Sequence, residues 1–573
     1  MEIQKKYRLW LEKTADNEEL HGELLAIESD AAAIEDRFYR ELEFGTGGLR
    51  GVLGAGTNRM NVYTVAKATQ GCSNYLRKSF ADPSVSIAYD SRIHSDLFAE
   101  TAARVFAANG IRVHLYDRLM PTPSLSFAVR DLHCSGGVVI TASHNPAKYN
   151  GYKVYGSDGC QITTEAAKAI QREIDCVDPF ADVRIMEFDA AMRAGRISYI
   201  GKDTVDRYLA AVSTASVLPK DIERNVAIVY TPLNGAGISC VPRCLHEHGF
   251  DNITIPTEQA EPDGGFPTCP YPNPEIREAL EVGLRWAEKT GSDLLLATDP
   301  DCDRVGTAVK TAEGYRLING NEMGVLLLDF ICRMRLMRGS MPSKPIAVKT
   351  IVTTPMAARV AEHYGVELID VLTGFKFIGE QIGLLEKKGE ADRYIFGFEE
   401  SYGYLSGSFV RDKDAVNASL LICEMFAWYR AQGRSLVDVL DELYRTYGFY
   451  ETKLLSFAFE GATGFARMKE LTAALRQTPP TELAGETVER VLDYDRDGTG
   501  LPRSNVLRFL LRDGEAVVRP SGTEPKLKVY LTAAKGSREE SRKMIEDMER
   551  HFAAWAGQHS DSNQYRERGI QKT

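Results

Sequence analysis

One supersecondary unit, used three times, constrains this chain more than any other feature. Each copy opens on a β-branched run (VSIAYDSR from Val85, NVAIVYTPLNG from Asn225, KPIAVKTIVTT from Lys344), passes through a helical segment and closes on a second apolar strand. The junctions read ANGIRVHLYD, EHGFDNITI and HYGVELIDV, where Gly110, Gly249 and Gly365 suit the left-handed residue that ends a helix before a new strand. Strand, helix and strand in this order form a right-handed parallel crossover, so the repeat predicts three α/β domains of related build. With 573 residues the chain is too long for a single core, and the repeat stops near residue 446. From there KLLSFAF, an amphipathic helix, NVLRFLLRDGEAVVRPSGTEPKLKVYLTA and a charged helix predict a fourth domain, an antiparallel sheet with helices on one face. The expected domain limits are 1–210, 211–325, 326–445 and 446–573.

Charge narrows the partners. The 69 Lys+Arg stand against 80 Asp+Glu, a net −11 without a basic tail, which argues against nucleic acid or an anionic membrane and leaves small molecules. The start, MEIQKKYRLWLEKTADNEEL, has no apolar h-region, and no stretch approaches roughly 18 uninterrupted apolar residues, so a cytoplasmic protein is expected. Ten cysteines without CxxC pairs fit a reducing compartment. Cys240, Cys244, His246 and His248 come nearest to a zinc set, but ISCVPRCLHEHGF reads more simply as a helix stopped at Gly249. The sequence carries no signal of oligomeric state.

Four stretches carry chemistry. In TASHNPAKYNGYKVYGSDG (141–159), Ser143 beside His144 invites a hydrolase reading. Neighbours in an extended segment point to opposite sides and no GxSxG elbow surrounds the serine, so that reading is set aside. In DLLLATDPDCDRVG (293–306) a strand runs into Asp299, Asp301 and Asp303, which in extended chain would share one side and converge on a cation. An all-oxygen set with open positions fits Mg²⁺. An EF-hand is excluded, since Arg304 and Lys310 stand where Gly and Glu belong. DYDRDGTG, with Asp493, Asp495, Asp497 and Gly498, matches the first half of a calcium loop but has Ser504 at position twelve, and reads as a turn. In RPSGTEPK (519–526), Arg519, Ser521, Gly522, Thr523 and Lys526 suit a phosphate dianion. No Walker loop occurs, and EFGTGGLRGVLGAG lacks the third glycine of a dinucleotide fingerprint. GFEESYGY (397–404) adds Glu399 and Ser401, polar groups suited to sugar hydroxyls.

These stretches, in this order and on this domain pattern, resemble the α-D-phosphohexomutase superfamily and its phosphoglucomutase/phosphomannomutase branch, over almost the whole chain. The resemblance implies three related α/β domains and a TATA-binding-protein-like C-terminal α+β domain around a central cleft. It implies a phosphosugar mutase interconverting sugar 1-phosphate and 6-phosphate, glucose first, through phosphoserine and a 1,6-bisphosphate that also serves as activator. Ser143 would carry the phosphoryl group, with one Mg²⁺ held by Asp299, Asp301, Asp303 and phospho-Ser143. Arg50 in GGLRG, Arg304 and His144 would surround the moving group. Lys153 in NGYK would be the general acid/base, its pKa lowered toward neutrality by desolvation beside other cations. Arg519, Ser521, Gly522, Thr523 and Lys526, helped by Arg411 and Lys413 of VRDKDA, would hold the distal phosphate. Thr373, Gly374 and Lys376 of LTGFK, with Glu399 and Ser401 at the C3 and C4 hydroxyls, would contact the sugar.

Two departures keep the sugar open. GFEESYGY lacks the histidine that follows the equivalent serine in many bacterial phosphomannomutases, and FGTGGLRG is similar to longer phosphoglucomutases that include phosphopentomutase-like members. Phosphomannomutase and phosphopentomutase are the alternatives. A non-catalytic sugar-phosphate sensor would have lost the serine or a metal aspartate, and all four are present.

Overall fold

All three copies of the repeat form parallel strand pairs. Ser84–Tyr89 pairs with Arg112–Tyr116, Ile228–Thr231 with Ile253–Thr254, and Ile346–Thr350 with Glu367–Val371. The junction glycines take the left-handed backbone they were chosen for, at φ 78° (Gly110), 81° (Gly249) and 66° (Gly365). The computed structural model describes residues 2–45, 47–459, 461–496, 498–520 and 526–558, without the side chains of 461–463, 465, 557 and 558. It divides into two units, one of Met1–Ile318, Ile378–Tyr394 and Tyr402–Trp428, the other of Asn319–Phe377, Ile395–Ser401 and Tyr429–Thr573.

The first unit holds a six-stranded and a five-stranded sheet. In the first, Ser84–Tyr89 lies between Gly136–Ile140 and Arg112–Tyr116, all parallel, and Tyr149–Gly156 returns antiparallel beside Gly136–Ile140. In the second, Leu294–Thr298 runs parallel to Ile228–Thr231, and Val305–Thr311 returns antiparallel beside it. Gly136–Ile140 and Leu294–Thr298 are buried throughout, as strands covered on both faces must be. Each is followed by a loop and a reversal, so the Ser143 loop and the aspartate loop both lie at the carboxyl end of a buried strand, where open α/β sheets place their ligands. Ahead of the first sheet, helices Glu2–Lys13, Glu18–Ala26 and Ala31–Phe38 build a small core of Tyr7, Trp10, Leu24 and Phe38, with edge-to-face ring contacts.

The second unit contains the parallel pair Ile346–Thr350 and Glu367–Val371, with the strand that ends at Glu399 on the other side of Ile346–Thr350. It also contains the expected antiparallel sheet, in the order Phe449–Ala458, Lys526–Lys535, Gly514–Pro520, Leu507–Leu510, Arg490–Asp493. Helices Gly461–Gln477 and Arg538–Gln558 cover one face with Met468, Leu471, Met548 and Phe552. Val517 and Tyr530 pack instead with Ile351, Val352 and Leu372. The calcium look-alike is a turn on its described side: Asp493 is paired with Arg476 at 2.9 Å and Arg496 at 3.1 Å, while Asp497 lies outside the described residues. Cys240 and Cys244 are buried thiols, and His246 pairs with Asp251. Among the described residues no helix is long and apolar enough to cross a membrane.

Candidate active site

Strand Gly136–Ile140 delivers the chain into the serine loop, and Gly151 on the returning strand lets that loop pass: a Cβ there would lie 2.5 Å from the Thr141 carbonyl. Ser143 has φ 52°, a left-handed backbone that costs a non-glycine residue about 1–2 kcal/mol. This corrects the extended reading of TASHNP. Because the chain turns at Ser143, its Oγ lies 3.2 Å from His144 Nδ1, the neighbour contact that an extended segment would forbid. The hydroxyl donates to Asp299 Oδ2 at 2.9 Å. Burial, and then Arg304 and Arg50, push His144 well below its ordinary pKa, so the ring is neutral.

The aspartates converge by a different route from the one their spacing suggested. Residues 299–304 form a tight turn, with Cys302 N–H on the Asp299 carbonyl and Cys302 at φ 54°, in place of an extended run. Asp299, Asp301 and Asp303 are fully buried and can place one carboxylate oxygen each within 4.8 Å of the others. Asp299 Oδ1 accepts the N–H groups of Asp303 and Arg304 at 3.0 Å, and Thr122 donates to Asp301 Oδ2 at 3.0 Å. Asp301 Oδ1 and Asp303 Oδ1 are buried without a hydrogen-bond partner among the described residues. Buried oxygens left this way on an all-oxygen donor set fit a hard cation such as Mg²⁺. Burial, reinforced by Asp303 and Asp301, raises the Asp299 pKa well above the carboxylate range. Burial would raise Asp301 too, but the Lys153 ammonium, then Lys413 and Thr122, hold it far below that range.

Lys153, Arg304 and Arg50, expected about the moving group, collect here, and so does Lys413, expected instead at the distal phosphate. Lys153 Nζ lies 2.8 Å from Asp301 and 3.5 Å from Asp303, and Lys413 Nζ is 2.7 Å from Asp303. Arg304 is 3.8 Å from Asp303 and pairs with Glu275, and Arg50 donates to Asn145 Oδ1 at 3.2 Å. The expectation for the Lys153 pKa is reversed. Burial does lower it, but Asp301 and Asp303 outweigh both burial and the neighbouring Lys413, and the net shift is upward, keeping the amine protonated. Arg411 also departs from its expected place. Its side chain is fully buried, donating to the carbonyls of Ser408 and Val410 and pairing with Glu386 at 2.8 Å, so the guanidinium ties the 408–414 loop down instead of reaching for phosphate. Sequence reasoning missed Thr122 and Glu275, which orient Asp301 and Arg304; neither stands near its partner in the chain.

The sugar residues lie in the second unit. Glu399 ends a buried strand and is itself buried, and Ser401 is half-buried two residues on. Neighbouring Glu400 accepts from the Thr350 and Thr353 hydroxyls at 3.3 and 3.4 Å, fixing the loop. Thr373 Oγ1 is buried without a hydrogen-bond partner among the described residues, Gly374 has φ 119°, and Lys376 Nζ lies 5.3 Å from the Phe377 ring centroid. Arg519 and Lys526 occupy facing strands of the C-terminal sheet, Gly514–Pro520 and Lys526–Lys535. Ser521, Gly522 and Thr523 lie outside the described residues.

A cation site ringed by lysine and arginine on repeated α/β sheets defines a class of enzymes that handle phosphate esters with a metal. The chain belongs to the phosphoglucomutase/phosphomannomutase family of α-D-phosphohexomutases: family models for α/β/α domains I, II and III and for the C-terminal domain match residues 41–179, 206–314, 319–447 and 466–551. It is 37% identical over 543 residues to the phosphoglucomutase of Staphylococcus aureus strain USA300, covering 91% of this chain and 95% of that one. Among solved structures it resembles a phosphoglucomutase/phosphomannomutase family protein of Burkholderia thailandensis (TM-score 0.65, 19% identity, 90% and 97% of the two chains). It also resembles pp63/parafusin, a phosphoglucomutase from Paramecium (TM-score 0.65, 17% identity, 91% and 97%). The chain is thus a sugar-phosphate mutase, an isomerase, and Mg²⁺ is the metal its carboxylates suit.

Proposed function

We propose that this mutase interconverts glucose 1-phosphate and glucose 6-phosphate, with Ser143 as phosphoryl carrier and a glucose 1,6-bisphosphate intermediate that also primes the serine. The observation that carries this is the Ser143 hydroxyl, 2.9 Å from a carboxylate of the buried triad. The name of the S. aureus relative supports glucose as the sugar.

In the first transfer a sugar oxygen bonds to phosphorus as the bond from phosphorus to Ser143 Oγ breaks. The bisphosphate then turns end for end, and Ser143 takes back the other phosphoryl group. Asp299, Asp301, Asp303 and Ser143 hold Mg²⁺, which supplies charge stabilisation for the transferring oxygens. Lys153 takes the proton of the sugar hydroxyl that attacks in the first transfer and gives it to the sugar oxygen released in the return step, and Asp301 and Asp303 stabilise the ammonium that exists between the two. Arg50 and Arg304 offset the charge of the moving group, and neutral His144 offers it a hydrogen bond. Glu399, Ser401, Thr373, Gly374 and Lys376 orient the sugar. Arg519 and Lys526, with Ser521, Gly522 and Thr523, anchor the distal phosphate. We assign these parts to segments 1–210, 211–325, 326–445 and 446–573, and place the enzyme in the cytoplasm with small-molecule substrates.

Intact mass after incubation with glucose 1,6-bisphosphate tests the carrier: the wild type gains one phosphoryl group and Ser143→Ala gains none. Turnover of glucose, mannose and ribose 1-phosphates tests the sugar. No phosphorylated species, or a ribose preference, overturns the corresponding part.

A further inference from the structure

We propose that Asp90 and Arg92 form a clamp that sets the left-handed backbone of Ser143 and so aims its Oγ, a positioning role that rests on Ser143 being the phosphoryl carrier. The Arg92 side chain is fully buried. One terminal nitrogen, Nη2, donates to the Ser143 carbonyl at 2.5 Å and to the Asn145 carbonyl; the other, Nη1, donates to the Pro146 and Tyr149 carbonyls, both at 3.0 Å. A single guanidinium thus serves four carbonyls of the loop.

Asp90 takes the other side. Its Oδ2 accepts the Thr141 hydroxyl at 2.6 Å, and Thr141 Oγ1 accepts the Ser143 N–H at 2.7 Å. Its Oδ1 accepts the Ser95 hydroxyl at 2.8 Å and the Arg92 N–H at 3.0 Å, and Arg92 Nε faces Oδ2 at 3.5 Å. Both polar groups of the Ser143 backbone are therefore held, the N–H through Thr141 and the C=O by Arg92, and the two holders are joined to each other. Thr141, Ser143 and Asn145 are buried, which limits the access of competing water to the bonds at Ser143, and these bonds oppose its relaxation toward the β region. The clamp is closed from the five-stranded-sheet side. The Phe266 ring lies 5.1 Å from the guanidinium, and residues 263–266 press so closely on 91–93 that a Cβ on Gly264 would come 2.4 Å from the Ile93 nitrogen. Neither Asp90 nor Arg92 is among the groups assigned to metal, phosphoryl or sugar. Their part is indirect, and misplacing a reacting atom by about 1 Å is enough to cost 10²-fold in rate.

Two variants test this. Arg92→Lys keeps a charge but loses the fork, and Thr141→Val keeps the shape while cutting the relay to the Ser143 N–H. Both are expected to lower kcat by about 10²-fold with KM within about twofold. Ser143 phosphorylation by glucose 1,6-bisphosphate, followed by intact mass, should slow in proportion. Amide exchange in the 141–149 peptide should quicken while other peptides keep the wild-type pattern. Thr141→Val buries no unpaired charge and keeps the test open where Arg92→Lys fails to fold. Wild-type kcat in Thr141→Val overturns the clamp, as does exchange that rises equally across the chain, which would mark a purely structural role. If the wild type takes no phosphate and the variants still loosen only 141–149, the carrier reading falls and the clamp's hold on the loop stands.

Discussion

Asp414 offers a pH dependence whose size and sign follow from its surroundings. Its side chain is fully buried at the start of the helix from Ala415. Tyr208 Oη donates to both carboxylate oxygens at 2.9 and 3.0 Å, and the N–H groups of Val416 and Asn417 donate to Oδ1 at 2.9 Å. Burial outweighs these bonds and pushes the pKa from the ordinary 3.8 up to about 6. A carboxyl raised on folding contributes stability that is fully present below its unfolded pKa and lost as pH rises through the folded one. The window here runs from about pH 4 to about pH 6, and two pKa units at about 1.4 kcal/mol each make the loss about 3 kcal/mol. Asp414→Asn imitates the protonated group: the amide oxygen still accepts the two backbone N–H groups, and the amide nitrogen can donate to Tyr208. Urea unfolding of wild type and variant, followed by circular dichroism from about pH 4 to pH 8, should show the variant gaining on the wild type by about 3 kcal/mol as pH rises through the window, with a plateau above it. Parallel stability curves would refute the argument, because they would mean that Asp414 ionises as easily inside the fold as outside it.

Asp301→Asn should lower kcat by about 10²–10³-fold and leave KM within a few-fold, since the cation acts mainly on charge that develops during transfer; full activity after chelation would remove the metal from the scheme. Glucose and mannose share the C3 and C4 configuration, so mannose 1-phosphate should be turned over and galactose 1-phosphate, inverted at C4, should be poor, with Glu399→Ala eroding the difference. Equal kcat/KM for glucose and galactose 1-phosphates in the wild type would show that Glu399 does not select the sugar. Gly324→Ala places a Cβ 2.1 Å from the Phe398 ring, next to Glu399, and should destabilise the protein by about 1–3 kcal/mol in thermal melts and raise KM for the sugar phosphate. An unchanged melting temperature would mean that the ring has room to move.

What the sequence determined by itself is what neighbouring residues dictate. The β-branched runs and their junction glycines fixed three parallel strand pairs, and Gly110, Gly249 and Gly365 adopt the left-handed backbone expected of them. The alternation after residue 446 fixed the antiparallel sheet, and three aspartates within five positions marked a cation site because like charges so close need one. What the tertiary structure decided depends on groups far apart in the chain. Ser143 turns left-handed and meets His144 because Asp90 and Arg92, some fifty positions earlier, hold its peptide groups. Lys153 is held protonated because two carboxylates of another sheet face it, and Arg411 is drawn inward by Glu386. Glu275, in the turn before helix Arg277–Thr290, meets Arg304, which leads into strand Val305–Thr311, only in the folded chain. Backbone periodicity is a short-range property and survives in the sequence. The sign of a pKa shift and the partner of a buried charge are sums over every group within a few ångströms, and only the folded chain says which groups those are.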